Sequence, residues 1–166
     1  ARIIAKIERS EAIPRLDEIV QASDAVMVAR GDLGIEVGYA ELTGLQKHIL
    51  QVARKHDRVT ITATQMMESM IQSPVPTRAE VSDVANAVLD GSDAVMLSGE
   101  SAVGKYPVRA VEAMSEVIVG AEKYQIARNS RGERFEGRVS EFAQAIAHAV
   151  MYTANHMAVE AIVALT

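Results

Sequence analysis

Four short apolar runs, each closing on polar residues, recur along this chain at intervals of about thirty residues, the size of one strand–helix unit. They are Ile3-Ile4-Ala5-Lys6-Ile7-Glu8, then Val26-Met27-Val28-Ala29 running into Arg30-Gly31-Asp32, then Thr60-Ile61-Thr62-Ala63-Thr64, then Asp93-Ala94-Val95-Met96-Leu97 followed by Ser98-Gly99-Glu100. Strands that all deliver polar groups at the same end fit side by side in a parallel sheet, with the chemistry gathered at its carboxyl rim. The pattern predicts an α/β fold of the (β/α)8 barrel type. A whole barrel takes about 250 residues, and this chain has 166 with four such units, so half a barrel is expected.

The segments between the runs carry helical spacing. Ser10 is expected to cap a first helix with Ile13, Leu16, Ile19 and Val20 on one stripe. Leu42, Leu45, Ile49, Leu50 and Ala53 form a second stripe. Thr77 and Glu80 make a capping box for a third helix, which Gly91 stops. Pro107 opens a fourth at its first position, with Val108, Val111, Met114, Val117, Ile118 and Ala121 as its stripe.

The apolar period then stops, and Arg, Gly, Ser and Asn dominate as far as Arg138. This divides the chain into 1–124, a connector over 125–138, and a second module over 139–166. In that module a helix is expected over Val139–Met157, capped near Ser140, and a strand over Ala161–Thr166. A chain ending inside an apolar strand suggests truncation.

Composition narrows the partners. A net charge of −5 without a basic cluster argues against nucleic acid. No apolar run reaches the roughly twenty residues of a membrane helix, and nothing at the start resembles a signal peptide. The absence of cysteine excludes disulfides, thiolate metal sites and a cysteine nucleophile. A cytoplasmic setting is the default expectation.

The richest stretch is Val26–Gly34, VMVARGDLG. Glycine lets a ligand approach the backbone, and a carboxylate beside it can hold a divalent cation. Lys6 and Glu8 share one strand face by the period of two and lie at the carboxyl end. Such a site suits a metal and an anionic substrate.

The blocks KIERSEAI, VMVARGDLGIEVG, ITATQMMESM and PTRAEVSDVANAVLDGSDAVMLSGESAVGKYP together resemble pyruvate kinase of the bacterial type, from the first residue to about Ala121. The matching portion of that family is the last four strands of the catalytic (β/α)8 barrel, and 139–166 resembles the start of its effector-binding C-terminal domain. What the resemblance implies is phosphoryl transfer from phosphoenolpyruvate to ADP, giving pyruvate and ATP in glycolysis. In this light Lys6 neutralises the phosphoryl group in flight and the enolate left behind. Glu8 and Asp32 hold magnesium or manganese. The backbone of Ala29, Arg30, Gly31 and Asp32 cradles the substrate carboxylate, with Thr64 completing the grip and Ser98 nearby for proton delivery. The family's motif has asparagine where this chain has Arg9.

The chemistry is consistent with those roles, since phosphoryl transfer asks a site for cations and donors rather than a nucleophile. Magnesium takes few carboxylates together with water and substrate oxygens. Family members also use potassium, but its ligands, the phosphate-gripping arginine and much of the nucleotide site lie in strands outside this sequence. The chain alone is therefore expected to lack turnover. A homo-oligomer is implied, a tetramer for the full-length family and a dimer or larger assembly for a half barrel with open edges.

Other readings stand beside these. Lys6 and Glu8 also fit an interior ion pair, and Arg30 fits a structural fork that orients the glycine turn or a carboxylate. Glu36 and Glu41 read as solvated, Glu68 as a cap or an outer support of the site, and Arg78, Glu80 and Asp83 as helix-start residues. His48, His56, His148 and His156 have no acid at ligand spacing, and the eight methionines read as core filler. A magnesium-dependent lyase or aldolase barrel of the malyl-CoA type is an alternative enzyme, against which Lys6, ATQMMESM and MLSGESA discriminate. A non-catalytic binding or assembly module is the alternative outside enzymes.

Overall fold

The computed structural model describes residues 1–129, 142–157, 159 and 161–163. The chain divides into two compact units, Ala1–Glu122 and Lys123–Thr166. The first is built on four strands, β1 (Ile4–Ile7), β2 (Ala25–Ala29), β3 (Val59–Ala63) and β4 (Ala94–Met96), all parallel and in the order β1-β2-β3-β4.

The register sets which side chains share a face. Ile7, Val28, Thr62 and Val95 form one row, and Ala5, Val26 and Thr60 the next. These residues turn toward the helices. Ile7, Val26 and Val28 join Leu16 and Val20 of α1 (Leu16–Gln21) and Ile49, Leu50, Val52 and Ala53 of α3 (Tyr39–Lys55) in one core cluster. A second cluster lies under Met66, Met67 and Met70, packed with Val84 and Ala87 of α4 (Arg78–Leu89) and with Ala110 and Met114 of α6 (Pro107–Asn129). Four of the eight methionines expected as filler, Met66, Met67, Met70 and Met114, are in that cluster, where an unbranched thioether fits an irregular loop underside, whereas Met151 and Met157 are exposed, against that expectation.

The alternate residues form the other sheet face: Ile4, Ala25 and Val59 in one row, Lys6, Met27, Ile61 and Ala94 in the next. Ile4 and Val59 are each 52% exposed. Parallel sheets are ordinarily covered on both faces, and this unit leaves one of them open.

The helix signals in the sequence differ in how they are realised. Thr77 accepts a hydrogen bond from the Glu80 amide and Glu80 accepts from the Thr77 amide, so the capping box forms. Gly91, at φ 93°, follows the end of α4 in the left-handed region that glycine tolerates. Pro107 is the first residue of α6. Ser10, however, does not cap a helix; it opens a 3-10 turn over Ser10–Arg15 and its hydroxyl donates to Glu36 instead. The glycine turn after β2 is itself the start of a helix, α2 (Arg30–Val37). Two glycines and a short length hid it, because neither gives a propensity signal or an apolar stripe.

Within the second unit, α6 continues to Asn129, five residues into the expected connector. Good helix formers such as Gln125, Ala127 and Arg128 carry it on after the apolar repeat has ended. A further helix, α7, spans Phe142–His156. Residues 161–163 belong to no strand, which corrects the first half of the strand expected over Ala161–Thr166. The rest of that strand, the connector over 130–138 and the cap near Ser140 lie outside the described residues.

Candidate active site

The carboxyl ends of β1 and β2 bring three charged side chains together. Lys6 sits in β1 and Glu8 just beyond it, the two spaced to point the same way, and Asp32 occupies the first turn of α2, which begins directly after β2. The Lys6 ammonium ion-pairs with Glu8 Oε2 and lies 3.6 Å from Asp32 Oδ2. Contact with the Glu8 carboxylate raises the Lys6 pKa above the ordinary lysine value, desolvation opposes this, and Asp32 adds to the rise. Lys6 is thus firmly a cation. Together with Arg9, Ile35 and Glu36, the three line a cleft.

The cleft suits a divalent ion on one structural ground. Glu8 Oε2 is shielded from solvent, its contact is the ion pair with the Lys6 ammonium, and Arg9 is a further positive neighbour. A carboxylate oxygen of this kind is a hard donor that a divalent ion takes in competition with the ammonium. Among the described residues no group of three or more His, Cys, Asp or Glu is arranged around a single point. Two carboxylates are what magnesium takes when water and substrate oxygens complete its shell.

A second layer forms at the end of β3. Thr64 (φ 70°) and Gln65 (φ 54°) both adopt left-handed backbone, which non-glycine residues rarely do. The Thr64 hydroxyl accepts from the Gly31 amide at 2.8 Å and donates to Ala63 O at 2.5 Å. Ala29, buried at the end of β2, leads straight into this contact. Thr64 and the Ala29–Asp32 segment are therefore in contact at Gly31.

Arg30 turns away from the cleft. Its guanidinium is buried, donates to Thr64 O at 2.8 Å and Gln65 O at 3.2 Å, contacts Met66 Sδ, and meets Asp83 at 2.7 Å. The structural fork anticipated for Arg30 is what the side chain makes. Ser98 stands at the start of α5 (Gly99–Ala102), and its described contacts run to Glu100 and Ser101 rather than to Lys6, Glu8 or Asp32.

Three contributors escaped the sequence. Asp83 partners Arg30 across 53 positions. Glu100 is buried and receives hydrogen bonds from the amides of Met67 and Ser98, joining the loops after β3 and β4. Glu36, expected in solvent, accepts from Ser10 and pairs with Arg9 at 3.5 Å, tying the turn after β1 to α2. Glu36 lies four positions beyond Asp32, the spacing that puts two residues on one helix face, and that was the signal available.

Fold and site together define a parallel α/β segment of the barrel type whose charged groups meet at the carboxyl ends of neighbouring strands. The family profile described as "Pyruvate kinase, barrel domain" matches residues 1–111. The chain belongs to the pyruvate kinase family. Along its whole length it is 57% identical to pyruvate kinase of Buchnera aphidicola subsp. Baizongia pistaciae and 54% identical to pyruvate kinase II of Salmonella typhimurium. It spans 35% of the length of each of these relatives. A crystal structure of a pyruvate kinase from Cryptosporidium parvum superposes on 98% of this chain, and on 29% of its own, with a TM-score of 0.73 at 43% identity. Among the described residues no helix is long and apolar enough to cross a membrane.

Proposed function

We infer that this chain carries the metal- and enolate-handling side of a pyruvate kinase active site. In this reading the unit over Ala1–Glu122 is the second half of a (β/α)8 barrel, and the residues after it begin the C-terminal domain. The reaction is phosphoryl transfer from phosphoenolpyruvate to ADP, giving pyruvate and ATP. The observation that supports it is the meeting of Lys6, Glu8 and Asp32 at the rim between β1 and β2.

Each residue then has a task its surroundings suit. Glu8 and Asp32 would hold magnesium or manganese, which supplies positive charge for the oxygens of the enolpyruvyl group when bound. Lys6, kept cationic by its two carboxylate neighbours, offers a mobile point charge to the transferring phosphoryl group. The α2 N-terminus, with Asp32 in its first turn, would offer backbone amides to the substrate carboxylate beside the Gly31 amide that Thr64 holds. Thr64 can join them by turning its hydroxyl proton from Ala63 O toward the ligand. Ser98 stays assigned to proton delivery at a neighbouring strand end. Potassium, the nucleotide and the remaining phosphate grip call on strands outside this sequence, so turnover requires those strands as well.

Binding tests the reading without turnover. Manganese is titrated into the chain, followed by oxalate as an enolate mimic. The wild-type chain should bind both, and Asp32→Ala should lose both. A wild-type chain that takes up neither ion nor oxalate would leave a structural module as the better account.

A further inference from the structure

The loop that follows β3 is held by a charged side chain that faces away from the cleft. We propose that Arg30 is a positioning residue: its guanidinium locks the left-handed turn at Thr64–Gln65, so that the Thr64 hydroxyl stays on the Gly31 amide beside Asp32. This deepens the functional reading above and rests on it for the meaning of that site.

The geometry carries the argument. Two consecutive non-glycine residues at positive φ are strained and persist only where their surroundings over-determine them. Their carbonyls are what Arg30 grips. Nη2 donates to Thr64 O and Gln65 O while Nε reaches Thr64 O at 3.3 Å, a two-point hold that a planar fork provides and an ammonium does not. The side chain is 7% exposed, so its charge needs a partner, and Asp83 of α4 supplies one through Nη1 at 2.7 Å.

Arg30 and Gly31 are consecutive, so one stretch of chain makes both ends of the hold. The Gly31 amide meets Thr64 Oγ1 at 2.8 Å. The Arg30 side chain pulls the Thr64 backbone from behind, while the Gly31 amide fixes the Thr64 hydroxyl in front. The start of α2 and the end of β3 are set against each other at the position of Asp32. Asp83 extends the linkage to the first turns of α4.

A double-mutant cycle separates this role from a general contribution to stability. Oxalate affinity of the manganese-loaded chain is measured for wild type, Arg30→Met, Thr64→Ala and the double variant. Arg30→Met should weaken oxalate on the order of tenfold, leave manganese alone within about twofold, and have little further effect once Thr64 is alanine. Additive losses, or oxalate affinity untouched by Arg30→Met, overturn the proposal.

Amide hydrogen exchange at Gly31, followed in the same proteins, gives an answer that needs no ligand. It should quicken in Arg30→Met as much as in Thr64→Ala, and Gly31 protection at the wild-type level in Arg30→Met sinks the idea. Arg30→Lys keeps a cation beside Asp83 but loses the two-point hold. It should show the same Gly31 signature if the methionine variant fails to fold. Should the wild-type chain bind no oxalate, the functional reading fails, and Gly31 exchange alone decides the role of Arg30.

Discussion

Lys6 Nζ stands 3.6 Å from Asp32 Oδ2, bridging from strand β1 to the helix that follows its neighbour β2. The ammonium therefore competes with any cation for the same carboxylates. Lys6→Met should strengthen binding of manganese alone, on the order of tenfold, because two anionic groups lose their neutralising partner. The same change should weaken oxalate, which loses a positive neighbour. Paired titrations with manganese and then oxalate check both signs, and a parallel fall in the two affinities would count against a shared site.

Glu80 couples a helix start to the loop after β3. Its carboxylate accepts from the amide and hydroxyl of Ser69 and from the amide and hydroxyl of Thr77. Burial alone would raise its pKa, yet the bonds from Ser69 and Thr77 outweigh this and hold it below 4.5. A lowered folded value means that the contribution is complete above the unfolded pKa and drains away as pH falls through the folded one. Glu80→Ala should cost about 2 kcal/mol at neutral pH. Urea denaturation should show that deficit narrowing in acid, below 4.5.

Two glycines should respond in opposite directions. Gly44 lies within α3 with open space where a Cβ would project, so Gly44→Ala should stabilise by about 1 kcal/mol through helix propensity. At Gly104 a Cβ would lie 2.4 Å from Glu100 O, a backbone atom that cannot step aside. Gly104→Ala should destabilise by roughly 2 kcal/mol. Thermal melts of the two variants against wild type give the comparison.

The open sheet face should drive association of the isolated chain. Ile4 and Val59 stand in one row on either side of Ala25, with about half of each surface exposed. Sedimentation velocity should show self-association rising with concentration. Ile4→Asp or Val59→Asp should each weaken it roughly tenfold. A monomer that persists at high concentration would remove this expectation.

Strand periodicity made the sheet legible, and with it the grouping of Lys6, Glu8 and Asp32, because a period of two fixes direction and parallel order fixes which ends coincide. The Thr77–Glu80 cap was legible for the same kind of reason, a contact between residues three positions apart. What escaped was set by distance and by direction. Nothing local tells that the Arg30 side chain points to Thr64 and Asp83 rather than into the cleft. Nothing local marks Glu100 as the buried acceptor for Met67, because a carboxylate beside Gly99 and Ser101 looks like any loop residue. The extension of α6 beyond Tyr124 was hidden because the apolar repeat ends there while helix propensity continues through Gln125, Ala127 and Arg128.

The strict alternation along β1 has an evolutionary consequence. Lys6 projects to the rim and Ile7 is sealed against the helices, so adding or deleting one residue ahead of them would exchange a charge for a hydrocarbon in both places at once. Folding and chemistry share a single reading frame in this strand. A change of length there has to be absorbed in the preceding loop, whereas replacement of one side chain by another leaves the alternation intact.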